Sequence, residues 1–348
     1  MESGANVLGG PDPADRNVIA GNGWSEVDIG LGFGSACCNV VQGNYIGTDS
    51  SGARDLFRGG YWTVGIEGGS PGNRLVDNVI TGRGVLIFDE GSSYNEVVGN
   101  HIGRDASGTV HLSDSGIWVN QPFNRIGGPT ERERNVISGF VGLAAGATDN
   151  VVSGNLIGTD PTGSRRVGSG SIEVYAPHNF VGGATRAEGN VIAGLWVKLH
   201  AGADHNFVAS NHVGTDATGT VALPIERTTL SGAGRNALVD NVLGGGVHLG
   251  DGADGNVLRG NRITGGRVGV EIASGEGNVV AGNSIGGNAR NAYDGGRGTR
   301  WDDGASGNYW DDHRGTDGNG DAISDTPYPV RPNGVDRFPL MRPPVQAE

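Results

Sequence analysis

Residues 150–163, N-V-V-S-G-N-L-I-G-T-D-P-T-G, recur at Asn39, Asn95 and Asn206 as N-V-V-Q-G-N-Y-I-G-T-D-S-S-G, N-E-V-V-G-N-H-I-G-R-D-A-S-G and N-F-V-A-S-N-H-V-G-T-D-A-T-G. Successive copies are 56, 55 and 56 residues apart. Self-similarity at a fixed spacing dictates a stacked array, in which each unit buries its apolar face against its neighbours. Within each long period the core N-x-x-x-G-N, or a near variant, occurs twice. Its starts fall at Asn6, Asn39, Asn73, Asn95, Asn124, Asn150, Asn179, Asn206, Asn236, Asn256 and Asn278. The undecorated steps from Asn73 to Asn95 and from Asn256 to Asn278 are 22 residues each. Longer steps carry insertions: N-R-L-V-D-N-V-I at Asn73 becomes N-V-L-G-G-P-D-P-A-D-R-N-V-I at Asn6. The insertions lengthen loops and leave the core in place.

A unit of about 22 residues is too short for a helix pair and suits one turn of a parallel β-coil built of short strands. The apolar positions agree. Val152 and Ile157 are placed to point inward, and the same places hold Val41 and Ile46, Val97 and Ile102, Val208 and Val213, Leu258 and Ile263, Val280 and Ile285. The Gly-Asn pair between them tolerates the left-handed backbone that turns a corner. Stacked Asn side chains can bond from coil to coil, which makes the recurrent Asn a structural ladder. The expected fold is all-β, a single-stranded right-handed parallel β-helix of eleven coils closed by a C-terminal cap. At a strand spacing of about 4.8 Å the rod is on the order of 50 Å long.

Glycine is abundant, 67 residues with 14 prolines, but without a collagen period, and the ordered Val/Ile columns oppose disorder. The net charge of -13, with Lys198 the single lysine, disfavours nucleic acid and anionic membranes as partners; cations and neutral polymers remain. No apolar run is long enough to insert in a membrane. Cys37 and Cys38 are adjacent, so on a strand one would face the core and the other solvent. The chain opens M-E-S-G-A-N-V-L-G-G, inside a repeat and without an apolar leader segment, so we expect a longer secreted protein to which it belongs.

Four insertion loops carry Asp49, Asp105, Asp160 and Asp216, two coils apart and suited to Asx turns rather than to a shared ion. His101 and His212 hold equivalent places beside an inward residue and are expected to face solvent. His200, Asp204 and His205 form a polar group near Lys198, for which a surface turn and a metal or lyase site are both open readings. Acid/base chemistry on an acidic polysaccharide needs a base and a cation. Glu173, His178 and Lys198 are the catalytic candidates, with Arg165, Arg166 and Tyr175 on nearby coils.

After Asn288 the rhythm stops. Aromatics Trp301, Tyr309, Trp310, Tyr328 and Phe338 recur among aspartates and prolines, as a segment folded across the last open edge requires. Residues 1–287 are therefore assigned to the solenoid and 288–348 to the cap. Asp317, Asn319, Asp321 and Asp325 form D-x-N-x-D-x-x-x-D, oxygen ligands at calcium-loop spacing, with Ala322 and Tyr328 where an EF-hand needs glycine and glutamate. A small calcium loop pinning the cap and a solvated acidic turn both fit.

The repeats N-V-I-x-G-N and N-x-I-G-T-D-x-x-G resemble those of large secreted β-helix proteins, and the tail G-N-Y-W-D-D, T-D-G-N-G-D, D-T-P-Y-P and D-R-F-P-L resembles the end of NosD-like β-helix proteins. The resemblance implies an extracellular, cell-surface or periplasmic home. It also brings in maturation of a copper enzyme, the role associated with NosD itself. Copper sites favour clustered Met, Cys and His, whereas here the methionines are Met1 and Met341 and the histidines are scattered, which argues against copper. The leading expectation is a non-catalytic scaffold that binds polysaccharide or other surface ligands. A polysaccharide lyase, hydrolase or epimerase and a NosD-like accessory protein are the alternatives, and the oligomeric state stays open.

Overall fold

The computed structural model describes residues 4–30, 34–223 and 225–344. Met1, where the solenoid was expected to begin, lies outside them, as do residues 345–348 of the expected cap. The 20- to 35-residue coils fold as the pattern requires, each giving one short strand to each of three sheets of 11, 12 and 11 strands. The first sheet runs from Val7–Gly9 to Val279–Ala281, the second from Val18–Ile19 to Tyr309–Trp310, and the third from Val27–Ile29 to Ala292–Asp294. All pairing in them is parallel and, apart from one slip in the third sheet, in register from coil to coil: Val152 lies between Ile126 and Val181, and Ile157 between Ile137 and Ile192. No α-helix occurs among the described residues, only the short 3-10 turns Pro13–Asp15 and Glu131–Glu133.

The inward positions are those the repeat marks. Val152 and Ile157 are 0% exposed, as are Ile46, Ile102, Leu258 and Ile285, and they join one continuous core. Each fully buried aliphatic side chain contributes about 1.5–3 kcal/mol relative to exposure. At Gly154 the backbone has φ +67, and a side chain there would run into the carbonyl of Gly128 in the preceding coil, so glycine is required at this corner. At the corner between the third and first sheets glycine makes the same turn at Gly72, Gly255 and Gly277, but most coils make it without glycine. Tyr94, Phe123, Asp149, His178, His205 and Arg235 all sit at φ 56 to 62, each immediately before a repeat Asn.

Two asparagine ladders line the first sheet's ends. One starts at Asn6 and runs through the eleven repeat starts; the backbone N–H of each Asn donates to the side-chain Oδ1 of the next, as Asn39 does to Asn73 at 2.9 Å. The other runs from Asn17 through Asn44, Asn78, Asn100, Asn135, Asn155, Asn190, Asn211, Asn241, Asn261 and Asn283 to Asn308, with both backbone and side-chain N–H donating forward. Asn155 is typical: its Nδ2 donates to Ile126 O, Ser153 O and Asn190 Oδ1 at 2.9, 3.0 and 3.0 Å. These amides satisfy the polar backbone of a buried turn, which is why the residue recurs.

The second ladder ends in the tail, where the Asn308 backbone N–H donates to Asp336 Oδ2 at 2.7 Å. Thus parallel pairing continues past Gly287 through Ala292–Asp294 and Tyr309–Trp310, although the repeat is no longer visible. Trp301 and Trp310 are buried over the last coil, and their indole N–H groups donate to Asp294 and Asp336 at 2.8 and 2.9 Å. An antiparallel hairpin, Tyr328–Val330 with Gly334–Asp336, closes the end, with Tyr328 stacked on Trp310 at 4.2 Å. An aromatic plug and a carboxylate that accepts the last N–H groups remove the open edge.

Candidate functional site on the third sheet

The outward side chains of the third sheet form columns along the axis, because in-register parallel strands place equivalent residues side by side. One column reads Leu86, Trp118, Gly142, Glu173, Lys198 and Thr229. The Trp118 indole lies across Gly142, where any side chain would collide with its ring. Its Nε1–H donates to Asn120 Oδ1 at 2.8 Å, which fixes the ring. Phe140 meets Trp118 and Trp62 edge-on at 6.0 and 6.3 Å, and Tyr175 lies 6.1 Å from Trp118 and stacks on His200 at 3.9 Å. The result is a row of half-buried rings over several coils.

Glu173 sits at the end of this row. Its Oε2 accepts from the Tyr175 hydroxyl at 2.6 Å and its Oε1 from the Trp196 indole at 3.1 Å. His200 Nε2 is 3.3 Å from Oε2 but lacks the alignment of a hydrogen bond. Burial pushes the Glu173 carboxyl up; the Tyr175 hydroxyl, the Trp196 indole and His200 outweigh it, and the pKa is lowered. Burial first, then Glu173, raises the Tyr175 hydroxyl to about 12, and burial with Lys198 lowers His200. Near neutrality the site is therefore an ionised carboxylate gripped by neutral donors. Trp196 reaches it from two residues before Lys198, the direct partner of Glu173, on the same outward face and next to a one-residue slip in register between Gly170 and Ile172.

Of the expected catalytic residues, Glu173 and Lys198 are brought together as direct partners on adjacent strands. His178 is not: it turns the corner after the strand, exposed, and stacks on His205 at 5.2 Å. Arg165 and Arg166 are engaged within their own loop, by Asp160 at 3.9 Å and Gly168 O at 3.1 Å. Trp118 and Trp196 were not singled out from the sequence; aligning the coils strand by strand would have placed both beside Glu173.

Three further expectations are corrected. His212 does not face solvent but is buried, because the 214–219 loop folds back over it and its Nδ1 meets Asp216 O at 2.9 Å; His101 is likewise half-covered, against Gly108. Cys37 and Cys38 lie in a turn rather than on a strand, half-buried and exposed, with their sulfurs 2.8 Å apart. Neither is a core residue. The loop acids do cap turns: Asp216 Oδ1 accepts from Thr220 N and Val221 N at 2.9 and 3.0 Å, and Asp105 and Asp160 do the same in their loops. In the tail, Asp317 accepts from Gly320, Asp321 and Ala322 N–H groups, the Asn319 amide donates to Asp321, and Asp325 accepts from Gly318. Among the described residues no group of three or more His, Cys, Asp or Glu is arranged to hold a metal ion.

Three long parallel sheets wound as one coil, with an aromatic cap, make this a right-handed parallel β-helix repeat protein with a NosD-like C-terminal segment. Residues 146–315 match the family described as periplasmic copper-binding protein (NosD). The match takes in Glu173, Trp196, Lys198 and His200, and extends through Trp310 of the cap. No curated protein matches the chain.

Proposed function

We propose that the protein is a non-catalytic β-helix scaffold of the cell envelope or its exterior that holds a neutral glycan across the third sheet. The observation that carries this reading is the row Trp62, Phe140, Trp118, Tyr175 and His200 ending on the ionised Glu173. Aromatic faces offer large apolar area at low entropic cost, and a fixed carboxylate accepts hydroxyl hydrogens, so together they suit a polyhydroxylated ring polymer. The acidic surface disfavours polyanionic ligands. Affinity electrophoresis against neutral and uronate polysaccharides tests this. Retardation by a neutral polymer, weakened in Trp118→Ala and Glu173→Gln, is expected. No retardation, or turnover of a uronate polymer, would overturn it.

The second reading is a periplasmic accessory role in copper-enzyme maturation, and the match of residues 146–315 favours it. The stacked pair His178 and His205 lies within that stretch and is exposed. Copper titration followed by the imidazole-to-copper absorption separates the readings: a tight site lost in His178→Ala supports the accessory role, and its absence removes that role.

A further inference from the structure

Near the N-terminal end of the third sheet, two buried carboxylate oxygens converge with nothing to bind, and a buried hydroxyl lies beside one of them. Asp28 and Gly65 are register partners on adjacent strands, and Glu67 follows Gly65 on the same outward face. A Cβ on Gly65 would sit 2.7 Å from Asp28 Oδ1 and 3.0 Å from Glu67 Oε1, so both oxygens converge on the space this glycine leaves open. Neither atom has a hydrogen-bond partner, and both are shut off from solvent. The Ser25 hydroxyl, also buried and unpartnered, lies close enough to act on Asp28. Glu67 and Ser25 are each 7% exposed.

Of the nine buried side-chain atoms without a partner, two thus converge at Gly65 and a third, Ser25 Oγ, lies beside Asp28, and all three are oxygens. No ion pair reaches either carboxylate among the described residues. The further acid nearby, Asp89, accepts from Gly68 N and adds negative potential, and Tyr61 stands beside Glu67, stacked on Trp24 at 5.2 Å. Burial raises the Asp28 carboxyl against the pull of Ser25; burial, with Asp28 and Asp89 behind it, raises that of Glu67 against the pull of Tyr61; and burial with Glu67 takes the Tyr61 hydroxyl to about 12.

Buried carboxylates that face each other are stable only if a proton or a cation neutralises them. A proton shared between Asp28 and Glu67 would neutralise one charge and leave the second, and the field of Asp89, unanswered. A cation engages all of them. The donor set holds no sulfur or imidazole, which disfavours copper and zinc and suits a hard ion with oxygen ligands. We propose that Asp28, Glu67 and Ser25 form a calcium site in the N-terminal coils, completed by water and separate from the acidic turn of the tail.

Terbium can report on it, because Trp24 and Tyr61 stand where they can sensitise its emission. The expected result for the whole chain is a saturable signal on aromatic excitation, displaced by calcium. Affinity should fall about tenfold or more in Asp28→Asn and in Glu67→Gln, the loss of one charged ligand. Asp317→Asn should leave it unchanged. Both variants at the site are isosteric and relieve repulsion, so in EDTA each should melt no lower than the parent while losing the rise that calcium gives it. No saturable signal, an affinity indifferent to both substitutions, or a signal lost with Asp317→Asn would overturn the proposal. So would a parent whose melting responds to pH alone and never to calcium, since that is the behaviour of a shared proton.

Discussion

Replacing Asn155 by Ala tests how much the second asparagine ladder holds the solenoid together. The substitution removes three bonds donated by Nδ2, to Ile126 O, Ser153 O and Asn190 Oδ1, and two accepted by Oδ1, from Asn135 Nδ2 and Asn135 N. Asn135 Nδ2 keeps Val97 O and Asn190 Oδ1 keeps the Asn155 backbone N–H, but the buried Asn135 N–H loses its acceptor. One orphaned buried donor costs about 1–3 kcal/mol and each of the four other lost bonds about 0.5–1.5 kcal/mol net, so about 3–9 kcal/mol is expected in total. At the N-terminal end, Asn17 is half-buried and its side chain makes one bond, to Asn44 Oδ1 at 2.9 Å. Asn17→Ala should cost only about 1 kcal/mol. Denaturant unfolding followed by far-ultraviolet circular dichroism measures both. Asn155→Asp adds a control, because it places an anion against three acceptors. It should be worse than Ala at neutral pH and recover as acid protonates it. Equal costs at Asn155 and Asn17 would refute the argument and make the ladder a passenger of the aliphatic core.

Ile157→Ala, at a position 0% exposed between Ile137 and Ile192, should cost about 2–5 kcal/mol in the same assay; a loss below 1 kcal/mol would mean the stack collapses around the gap. Arg104 is fully buried with two nitrogens unpaired and one bond, to Thr159 O at 2.8 Å, where the equivalent loops carry Thr. Arg104→Met should therefore be neutral or stabilising by about 1–3 kcal/mol, and a clear fall in melting temperature would show that the guanidinium has partners. The pKa of Glu173 is lowered, so its folded-state advantage is complete above the ordinary glutamate value of 4.5 and is lost as pH falls through the folded value. The melting difference between parent and Glu173→Gln should hold from neutrality to about that value and vanish below it. In the tail, Asp317→Ala should destabilise by about 1–2 kcal/mol in EDTA as well as in calcium, because its carboxylate already caps backbone N–H groups; a cost seen only with calcium would identify a metal loop.

The solenoid was legible in the sequence because one requirement is written into every coil: an aliphatic residue inside, a left-handed turn, and an amide to satisfy it. Val152, Gly154, Asn155 and Ile157 each have one physical reason to be there, and the repeats display it many times. The tail hid its part in the stack because Asn308 keeps the ladder while its neighbours trade small residues for Trp301 and Trp310. The site was less legible. Glu173 and Lys198 are 25 residues apart yet adjacent, whereas His178, five residues from Glu173, is carried around a corner. Proximity on this fold is decided by register and by insertion length, which neither composition nor motif spacing displays directly. Asp28 and Glu67 meet for the same reason, across 39 residues.

The second asparagine ladder has a direction. Each amide offers N–H groups to the coil ahead and an oxygen to the coil behind, and Asp336, an acceptor alone, receives whatever arrives last. A complete turn could be spliced out, or a duplicate spliced in, and both cut faces would still match, so the length of such a rod can drift through evolution without redesign of its end. The terminus is the part that cannot be copied inward: a carboxylate in mid-stack would have its backbone N–H alone, and no side-chain amide, to give the next rung.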